Sequence, residues 1–308
     1  MNNLQSNINN YLNYCTSQKR LDTKTLKAYR IDLKQFTDFI PNTEPSEITP
    51  NVLENYISFL HNNFKPKTVK RKIASLKALF HYFEYKDIIE YNPFNKLYIK
   101  FKEPVILPKV IPLSTIERLL SAIYNQQING NTFNKKHNSI RDAAVCELLF
   151  ATGIRISELC SLHDNDVDLQ NGIIKIYGKG SKERVLQIGN SATLKALTRY
   201  KSEFSDKIHA CGFFFVNNNS TSLSAQAVRR MLNKYTKLAN INLHITPHMF
   251  RHTFATCLLN ADVDIRYIQE MLGHSSINVT EIYTHVAIEK QGNILKEKHP
   301  RKFLNITY

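Results

Sequence analysis

The chain contains few cysteines and glycines and no tryptophan. Its 308 residues include nine glycines, no tryptophan and five scattered cysteines: Cys15, Cys146, Cys160, Cys211 and Cys257. An odd number of cysteines without close pairs predicts reduced thiols and no disulfide or metal site. The low glycine content, together with the lack of an internal repeat, disfavours a linker-rich repeat array.

Long hydrophobic runs are missing as well. No stretch approaches the length of a membrane-spanning helix, and the polar start Met1–Ser6 has neither the charged nor the apolar part of a signal peptide. The sequence therefore predicts a cytoplasmic protein. Hydrophobic residues still make up 43% of the chain, which is ample for folded cores, and the length of the chain favours two domains.

Acidic residues are scarce relative to basic ones. Asp and Glu total 26 against 41 Lys and Arg, which gives a formal net charge of +15. Such an excess in a folded chain favours a polyanionic partner. An anionic membrane surface would also attract this charge, but no membrane segment accompanies it.

Residues 1–100 have the pattern of a helical bundle. After Asp22, a candidate N-terminal cap, apolar residues recur every three or four positions and form one stripe: Leu26, Tyr29, Leu33, Phe36 and Ile40. Pro50 and Pro66 stand where a helix tolerates proline, at its first position, and each precedes another such stripe. Three helices are predicted from these signals.

The helix that follows Pro66 is strongly basic, and no acidic residue occurs between Lys65 and Lys77. We interpret this charge as contact with DNA phosphates, which position a protein without reading the base sequence. A solvated helix face is the alternative. The candidate DNA-binding residues here are Lys65, Lys67, Lys70, Arg71, Lys72 and Lys77; a second basic helix, predicted at 225–239, adds Arg229, Arg230 and Lys234.

Residues 101–112 are predicted to be a linker. Three prolines in nine residues keep this segment extended. It separates an N-terminal domain at 1–100 from a C-terminal domain at 113–308, and both domains are basic. Two basic lobes on a tether suggest a clamp around a duplex.

The C-terminal domain begins with predicted helices. Ser114 is a candidate cap for the first of them. Asn125–Asn138 is polar and asparagine-rich and predicts a surface loop. Residues 141–152 form a mostly apolar helix, for which Gly153 is a suitable end.

Two short runs rich in β-branched residues, Gly172–Tyr177 and Val185–Ile188, predict a β-hairpin with Gly178–Ser181 at its tip. Phe213–Val216 is a candidate further strand. The fold class that follows is mainly α (α+β), with helices and a small antiparallel sheet.

A compact basic cluster follows Pro247. His248, Arg251 and His252 lie three and four residues apart, on one face of the first turn of a helix. Arginine offers a planar fork of donors that fits phosphate oxygens, and histidine can hydrogen-bond the same group or move a proton. The expected target is a phosphate. Tyr283 supplies a hydroxyl that could attack phosphorus.

Five sequence blocks, in order, resemble the tyrosine recombinase (integrase) family, and its Xer branch most closely. They are Ala151–Leu159 (ATGIRISEL), Gly178–Arg184 (GKGSKER), Thr246–His252 (TPHMFRH), Leu272–Ser275 (LGHS) and Tyr283–His285 (YTH). The resemblance is close over the C-terminal two thirds and only general over the first hundred residues. It implies a helical core-binding domain followed by a catalytic domain.

The resemblance also implies roles for individual residues. Arg155 and Arg251 match the two arginines that clamp the phosphate. Glu158 matches the acidic residue that supports the site without transferring a proton. His248 would assist as acid or base, and His274 would donate a hydrogen bond to a non-bridging oxygen.

Tyr283 matches the family's nucleophile, and Lys179 matches the hairpin lysine that protonates the leaving 5′ oxygen. Lys182 is close enough to compete for that second role. A zinc site built from His248, His252 and His274 is the metal alternative. We disfavour it because Met249 stands where a zinc hydrolase motif places glutamate.

The implied reaction is DNA cleavage through a 3′-phosphotyrosyl intermediate, followed by religation through a Holliday junction. It requires no cofactor. The implied assembly is a tetramer on two synapsed sites, either of one chain or with a related recombinase, and the tail at 287–308 is a candidate for contact between protomers. DNA integration and excision, inversion, and dimer resolution all remain open as biological roles. A non-cutting DNA-binding accessory factor and a tyrosine-type DNA topoisomerase are the alternative functions.

Overall fold

The computed structural model describes residues 4–100, 108–178 and 183–273. The chain divides into two compact units, Met1–Val105 and Ile106–Tyr308. Across the described ranges the protein is mostly helical, with one small antiparallel sheet, and this confirms the predicted fold class. No helix in these ranges is long and apolar enough to cross a membrane.

Within residues 4–100, the N-terminal unit contains four α-helices: α1 (Leu4–Ser17), α2 (Thr23–Phe39), α3 (Pro50–Asn63) and α4 (Pro66–Tyr85). The last three start where the sequence predicts. The Asp22 carboxylate accepts hydrogen bonds from the backbone N–H groups of Lys24 and Thr25 and so caps α2. Proline occupies the first position of α3 and of α4.

Aromatic side chains fill the core of this unit. The ring centroid of Phe36 lies 5.0 Å from that of Tyr56 and 6.2 Å from that of Phe80, and both pairs meet edge to face. All three residues are fully buried. Burial of one such side chain stabilises the fold by about 2 kcal/mol. The stripe predicted after Asp22 is therefore the face of α2 that packs against α3 and α4.

The described helices of the C-terminal unit are, in chain order, α5 (Leu113–Asn129), α6 (Phe133–Thr152), α7 (Ile156–Cys160), α8 (Ser191–Glu203), α9 (Ser205–Cys211), α10 (Ala225–Leu238), α11 (Pro247–Asn260) and α12 (Ile265–Leu272). Helix α6 is central and packs against α5, α8 and α11. It is buried on most sides, from Ala143 to Leu149.

The described part of the sheet has three strands in the order β1 (Val167–Asp168), β2 (Ile173–Tyr177) and β3 (Glu183–Gln187), all antiparallel. Strands β2 and β3 form the predicted hairpin, in which Ile174 pairs with Leu186. Both of these side chains are buried, so one face of the hairpin packs on the helical core. Residues 179–182, at the hairpin tip, lie outside the described ranges.

The prediction of a surface loop at Asn125–Asn138 is wrong. Helix α5 continues to Asn129 and α6 starts at Phe133, so only three residues connect the helices. The Thr132 hydroxyl accepts a hydrogen bond from the backbone N–H of Lys135 and caps α6. The many asparagines misled the prediction, because exposed polar residues are tolerated on a helix whose other face is packed. Ser114, the predicted cap of α5, instead lies in its first turn, after Pro112.

The prediction of a strand at Phe213–Val216 is also wrong. This run makes only isolated bridges, from Phe213 to His163 and from Val216 to Ser222. A side chain takes the place of a neighbouring strand. The Tyr200 hydroxyl donates to the Phe214 carbonyl at 2.9 Å and accepts from the Val216 N–H at 3.0 Å. Backbone groups in the core need partners: a buried tyrosine supplies two of them here, and the backbone of Leu162 and Leu223 pairs with Phe214 and Phe215.

Candidate functional site

Gly153 ends α6 and directs the chain toward Arg155. It has a φ of 60°, in the left-handed region, and its N–H donates to the Leu149 carbonyl at 3.1 Å. A Cβ added at this position would lie 2.7 Å from Cδ1 of Phe254. Both the backbone conformation and the available space therefore require glycine here. Arg155, two residues further on, is the N-terminal cap residue of α7.

Glu158 is the carboxylate around which the site is built. Its Oε2 accepts a hydrogen bond from the backbone N–H of Arg155 at 2.8 Å, and its Oε1 accepts one from Nη1 of the same residue at 2.7 Å. Arg184, at the start of β3, donates to both oxygens, at 3.0 and 2.7 Å. Glu158 is only 5% exposed. One buried carboxylate thus holds two arginines that come from separate elements.

Helix α11 brings a third arginine to the same place. Arg251 is only 6% exposed, and its guanidinium donates to two main-chain carbonyls. Nη1 lies 2.9 Å from the Gly153 oxygen, and Nη2 lies 2.7 Å from the Leu272 oxygen. Arg251 therefore joins the end of α6 to the end of α12.

The C-terminal end of α12 directs its carbonyls at all three arginines. Each of three consecutive carbonyls accepts one N–H: Met271 from Arg184 Nε at 2.9 Å, Leu272 from Arg251 Nη2 at 2.7 Å and Gly273 from Arg155 Nη2 at 3.1 Å. The last carbonyls of a helix have no partner within it and carry a partial negative charge. Cations at this position are therefore stabilised.

Mutual interactions shift the pKa values of the cluster. Burial alone would raise the pKa of Glu158, but hydrogen bonds from Arg184 and Arg155 outweigh it and hold that pKa below its usual value. Burial lowers the pKa of Arg251 to about 9; repulsion from Arg155 and Arg184 adds to this, and Glu158 opposes it. An anion placed beside Arg251 would favour its charged form and reverse the shift.

The cluster carries an excess of positive charge. Three guanidinium groups against one carboxylate leave a charge of 3 − 1 = +2. Planar guanidinium groups bind phosphate oxygens in pairs, so the arrangement suits a phosphate group. The family resemblance predicted that Arg155, Glu158 and Arg251 belong to one site. It assigned no role to Arg184, and the only signal for it was its place in a matched block.

Three predicted site residues, Lys179, His274 and Tyr283, lie outside the described ranges, so their roles stay predictions. His248 is exposed on the first turn of α11, and His252, one turn further along, is half-buried. Among the described residues, no group of three His, Cys, Asp or Glu side chains could hold a metal ion.

The basic face of α4 needs one correction. Lys72 is buried, with 3% exposure, and its ammonium lies 3.0 Å from Oδ1 of the buried Asp32. Arg71 contacts the other oxygen of the same carboxylate. Lys72 therefore neutralises a charge in the core and does not reach a DNA phosphate. The other candidates on this helix are exposed: Lys65, Lys67, Lys70, Arg71 and Lys77.

The basic residues of α10 differ in their surroundings. Arg229 and Arg230 are exposed. The ammonium of Lys234 lies 4.2 Å from the ring centroid of Tyr235 and 3.8 Å from Oδ2 of Asp142. Partial burial lowers the pKa of Lys234, and Asp142 opposes this shift. Arg229 and Arg230 are thus the stronger candidates for phosphate contact on this helix.

Glu158→Gln is expected to weaken the fold of the C-terminal unit and to flatten its pH dependence. The folded pKa of Glu158 is lowered, so its ionised form contributes stability above the unfolded value, and that contribution is lost as pH falls through the folded pKa. Removing the charge leaves Arg184 and Arg155 without a counter-ion and costs about 3 kcal/mol at neutral pH. Urea unfolding of both proteins, from neutral to acidic pH, measures the difference.

Glu117→Gln is the matched control, because Glu117 is exposed on α5. This variant is expected to follow the wild-type pH profile. A wild-type acid profile in Glu158→Gln would contradict the role of Glu158 as the counter-ion of the cluster.

Comparison with known proteins agrees with the family resemblance of the five sequence blocks. Residues 111–290 match the model of the phage integrase family, and residues 8–86 match the phage integrase N-terminal SAM-like domain. A tyrosine recombinase of Agathobacter rectalis is 62% identical over 98% of this chain and 99% of its own. Tyrosine recombinase XerC of Thermodesulfovibrio yellowstonii is 36% identical, over 97% and 98%. A crystal structure of a lambda integrase tetramer bound to a Holliday junction is similar in fold, with a TM-score of 0.69 and 18% identity, and covers 89% of this chain and 78% of that one.

Proposed function

Since the chain belongs to the phage integrase family and is a tyrosine recombinase, we propose that it cuts and rejoins double-stranded DNA at a specific core site. In this proposal residues 1–100 bind the DNA core, 101–112 link the domains, and 113–308 carry out catalysis. The site-specific reaction fits the relatives named XerC and tyrosine recombinase.

The arginine cluster is the observation that carries this proposal. Arg155 and Arg251 lie beside the same helix end, and Glu158 supplies only part of the negative charge that the cluster can accept. A bound phosphodiester brings one negative charge to the cluster. As its phosphorus becomes five-coordinate, negative charge develops on the non-bridging oxygens, and donors held in place before the reaction stabilise it.

The proposed chemistry forms one bond to phosphorus and breaks another. The Tyr283 hydroxyl attacks the scissile phosphorus and passes its proton to His248, the proposed base, while the bond to the 5′ oxygen breaks and Lys179 protonates that oxygen. A 3′-phosphotyrosyl linkage and a free 5′-hydroxyl result. The 5′-hydroxyl of the partner strand then reverses the step. The phosphotyrosyl bond conserves the energy of the phosphodiester, so neither ATP nor a metal ion enters the scheme.

We further propose that four protomers act together on two synapsed DNA sites through a Holliday junction. The lambda integrase tetramer on a Holliday junction, which shares the fold, supports this assembly. The four protomers are either copies of this chain or pairs formed with a related recombinase. We propose the cytoplasm as the compartment in which the protein acts on DNA.

The proposal is tested by trapping the covalent intermediate. Purified protein is incubated with nicked duplexes tiled across the DNA that flanks its own gene, and the products are separated on a denaturing gel. A nick beside the cleavage point lets the short fragment diffuse away and traps the adduct. A protein–DNA adduct on one duplex is the expected result. Binding without an adduct would favour an accessory factor, and relaxation of plasmids that lack the site would favour a topoisomerase.

Two lysines of α4 are expected to respond differently to substitution. Lys67→Met removes an exposed charge, so DNA affinity should fall and the slope of log affinity against log salt should decrease by about 1. Lys72→Met removes a buried partner of Asp32 and should cost about 2 kcal/mol of unfolding free energy, since Arg71 still contacts that carboxylate. Salt-dependent binding and urea unfolding measure both effects. A reduced salt slope in Lys72→Met would contradict its assignment to the core.

A further inference from the structure

Arg184 joins Glu158 to the end of α12 from a separate element, β3, whereas Arg155 does so from a position beside Glu158 in the sequence. The two terminal nitrogens of Arg184 donate hydrogen bonds to the Glu158 carboxylate, and its Nε donates to the Met271 carbonyl at 2.9 Å. A single side chain from β3 therefore connects the start of α7 to the end of α12. Its side chain is 10% exposed, so solvent screens these bonds only weakly.

We propose that Arg184 is a positioning residue for the recombination reaction: it holds the C-terminal end of α12 against the Arg155–Glu158 pair. It acts through other groups and need not touch the DNA. This inference rests on the proposed function, in which Arg155 and Arg251 bind the scissile phosphate. The proposed role of Arg184 also bears on His274, because His274 directly follows Gly273 in the sequence.

Gly273 shows how closely the two elements meet. Its φ is 63°, and a Cβ added to it would lie 2.8 Å from Nη1 of Arg184 and 3.1 Å from its Cδ and Cζ. The guanidinium thus lies directly against the glycine backbone. Glycine suits the left-handed turn that ends α12, and a Cβ at this position would displace the Arg184 side chain. A change at Arg184 therefore alters the surroundings of Gly273, the residue just before His274.

The bonds of Arg184 need an arginine. Two parallel bonds to a carboxylate and a third to a carbonyl use the fixed fork of a guanidinium, whereas lysine presents one mobile ammonium. The Met271 carbonyl also lies at the negative end of the helix dipole, where a delocalised cation is favoured. Arg184→Lys keeps the charge and loses this geometry.

Cleavage rates separate positioning from DNA binding. Wild type, Arg184→Lys and Arg184→Met are compared on the nicked duplex that forms the adduct, at saturating DNA concentration, and their affinities for the same duplex are measured separately. Loss of alignment by about 1 Å can slow a reaction about 100-fold. Arg184→Lys is therefore expected to cleave about 10- to 100-fold more slowly, with near wild-type affinity. A wild-type cleavage rate, or a loss of rate matched by the loss of affinity, would overturn the proposal.

Arg118→Lys is the matched control. Arg118 also caps a helix end, since its Nη2 donates to the carbonyls of Ala239 and Asn240 after α10, but it makes no contact with Glu158 that the structure describes. This variant loses an arginine-to-carbonyl bond of the same kind. It is expected to cleave at the wild-type rate.

Hydrogen exchange of the free protein provides a readout that needs no DNA. Peptides from α12 are expected to exchange about 10-fold faster in Arg184→Lys than in the wild type, and to be unchanged in Arg118→Lys. Unchanged exchange in α12 overturns the role of Arg184, whatever the wild type does to DNA. The absence of adducts with the wild type counts instead against the proposed function. The two failures can therefore be told apart.

Discussion

Replacing Tyr283 by phenylalanine is expected to abolish the covalent protein–DNA adduct, with a loss of at least about 10⁴-fold in cleavage. Phenylalanine keeps the ring and removes the hydroxyl oxygen that would bond to phosphorus. The proposed phosphate-clamping residues are untouched by this change, so DNA affinity is expected to stay near the wild-type value. The nicked-duplex gel and a binding assay on the same DNA measure the two quantities.

Tyr267→Phe is the control for this substitution. Tyr267 lies on α12, is 62% exposed, and has the same ring and hydroxyl. Adduct formation is expected to survive this change. If the adduct instead persisted in Tyr283→Phe, another hydroxyl would be the nucleophile, and the alignment of the last matched block would have to be abandoned.

The parts of the fold that were predicted correctly depend on signals close together in sequence. A capping carboxylate at Asp22, prolines at the first positions of α3 and α4, and a left-handed glycine at the end of α6 act over a few residues. The β2–β3 hairpin likewise joins neighbouring runs. Such features are decided by local backbone chemistry, so a single sequence reveals them.

Two of the errors depend on contacts between residues that are distant in sequence. Tyr200 bonds the Phe214 carbonyl and the Val216 N–H, two groups that a partner strand would otherwise bond. Lys72 pairs in the core with Asp32, which lies 40 positions away in the sequence. Neither contact leaves a periodic pattern in the chain. A buried polar partner decided each case, and its position could not be read from the local sequence.

The predictions for the candidate site show the same difference between contacts that are near and contacts that are distant in sequence. Arg155 and Glu158 are three residues apart on one short helix, so their pairing could be anticipated. Arg184 reaches Glu158 across 26 positions and Met271 across 87, and its role became visible only in the structure. The roles of Lys179, His274 and Tyr283 remain predictions based on the family resemblance.

Arg251→Lys is expected to reduce cleavage about 10³-fold while the protein stays folded. Arg251 is held by the carbonyls of Gly153 and Leu272, so its guanidinium is oriented before DNA arrives. Removing one such preorganised donor typically costs about 10²- to 10³-fold in rate. The larger value applies here, because lysine keeps the charge but cannot bridge two carbonyls and a phosphate at once.

Arg266→Lys controls for the loss of one guanidinium elsewhere. Arg266 is exposed at the start of α12 and pairs only with Asp264 among the residues that the structure describes. It is expected to cleave at the wild-type rate, because an exposed pair contributes little and lies outside the arginine cluster. A comparable loss in both variants would contradict a specific role for Arg251, because Arg266 lies outside the arginine cluster. A loss confined to Arg251→Lys would locate the effect in its fixed geometry, because neither substitution changes the net charge.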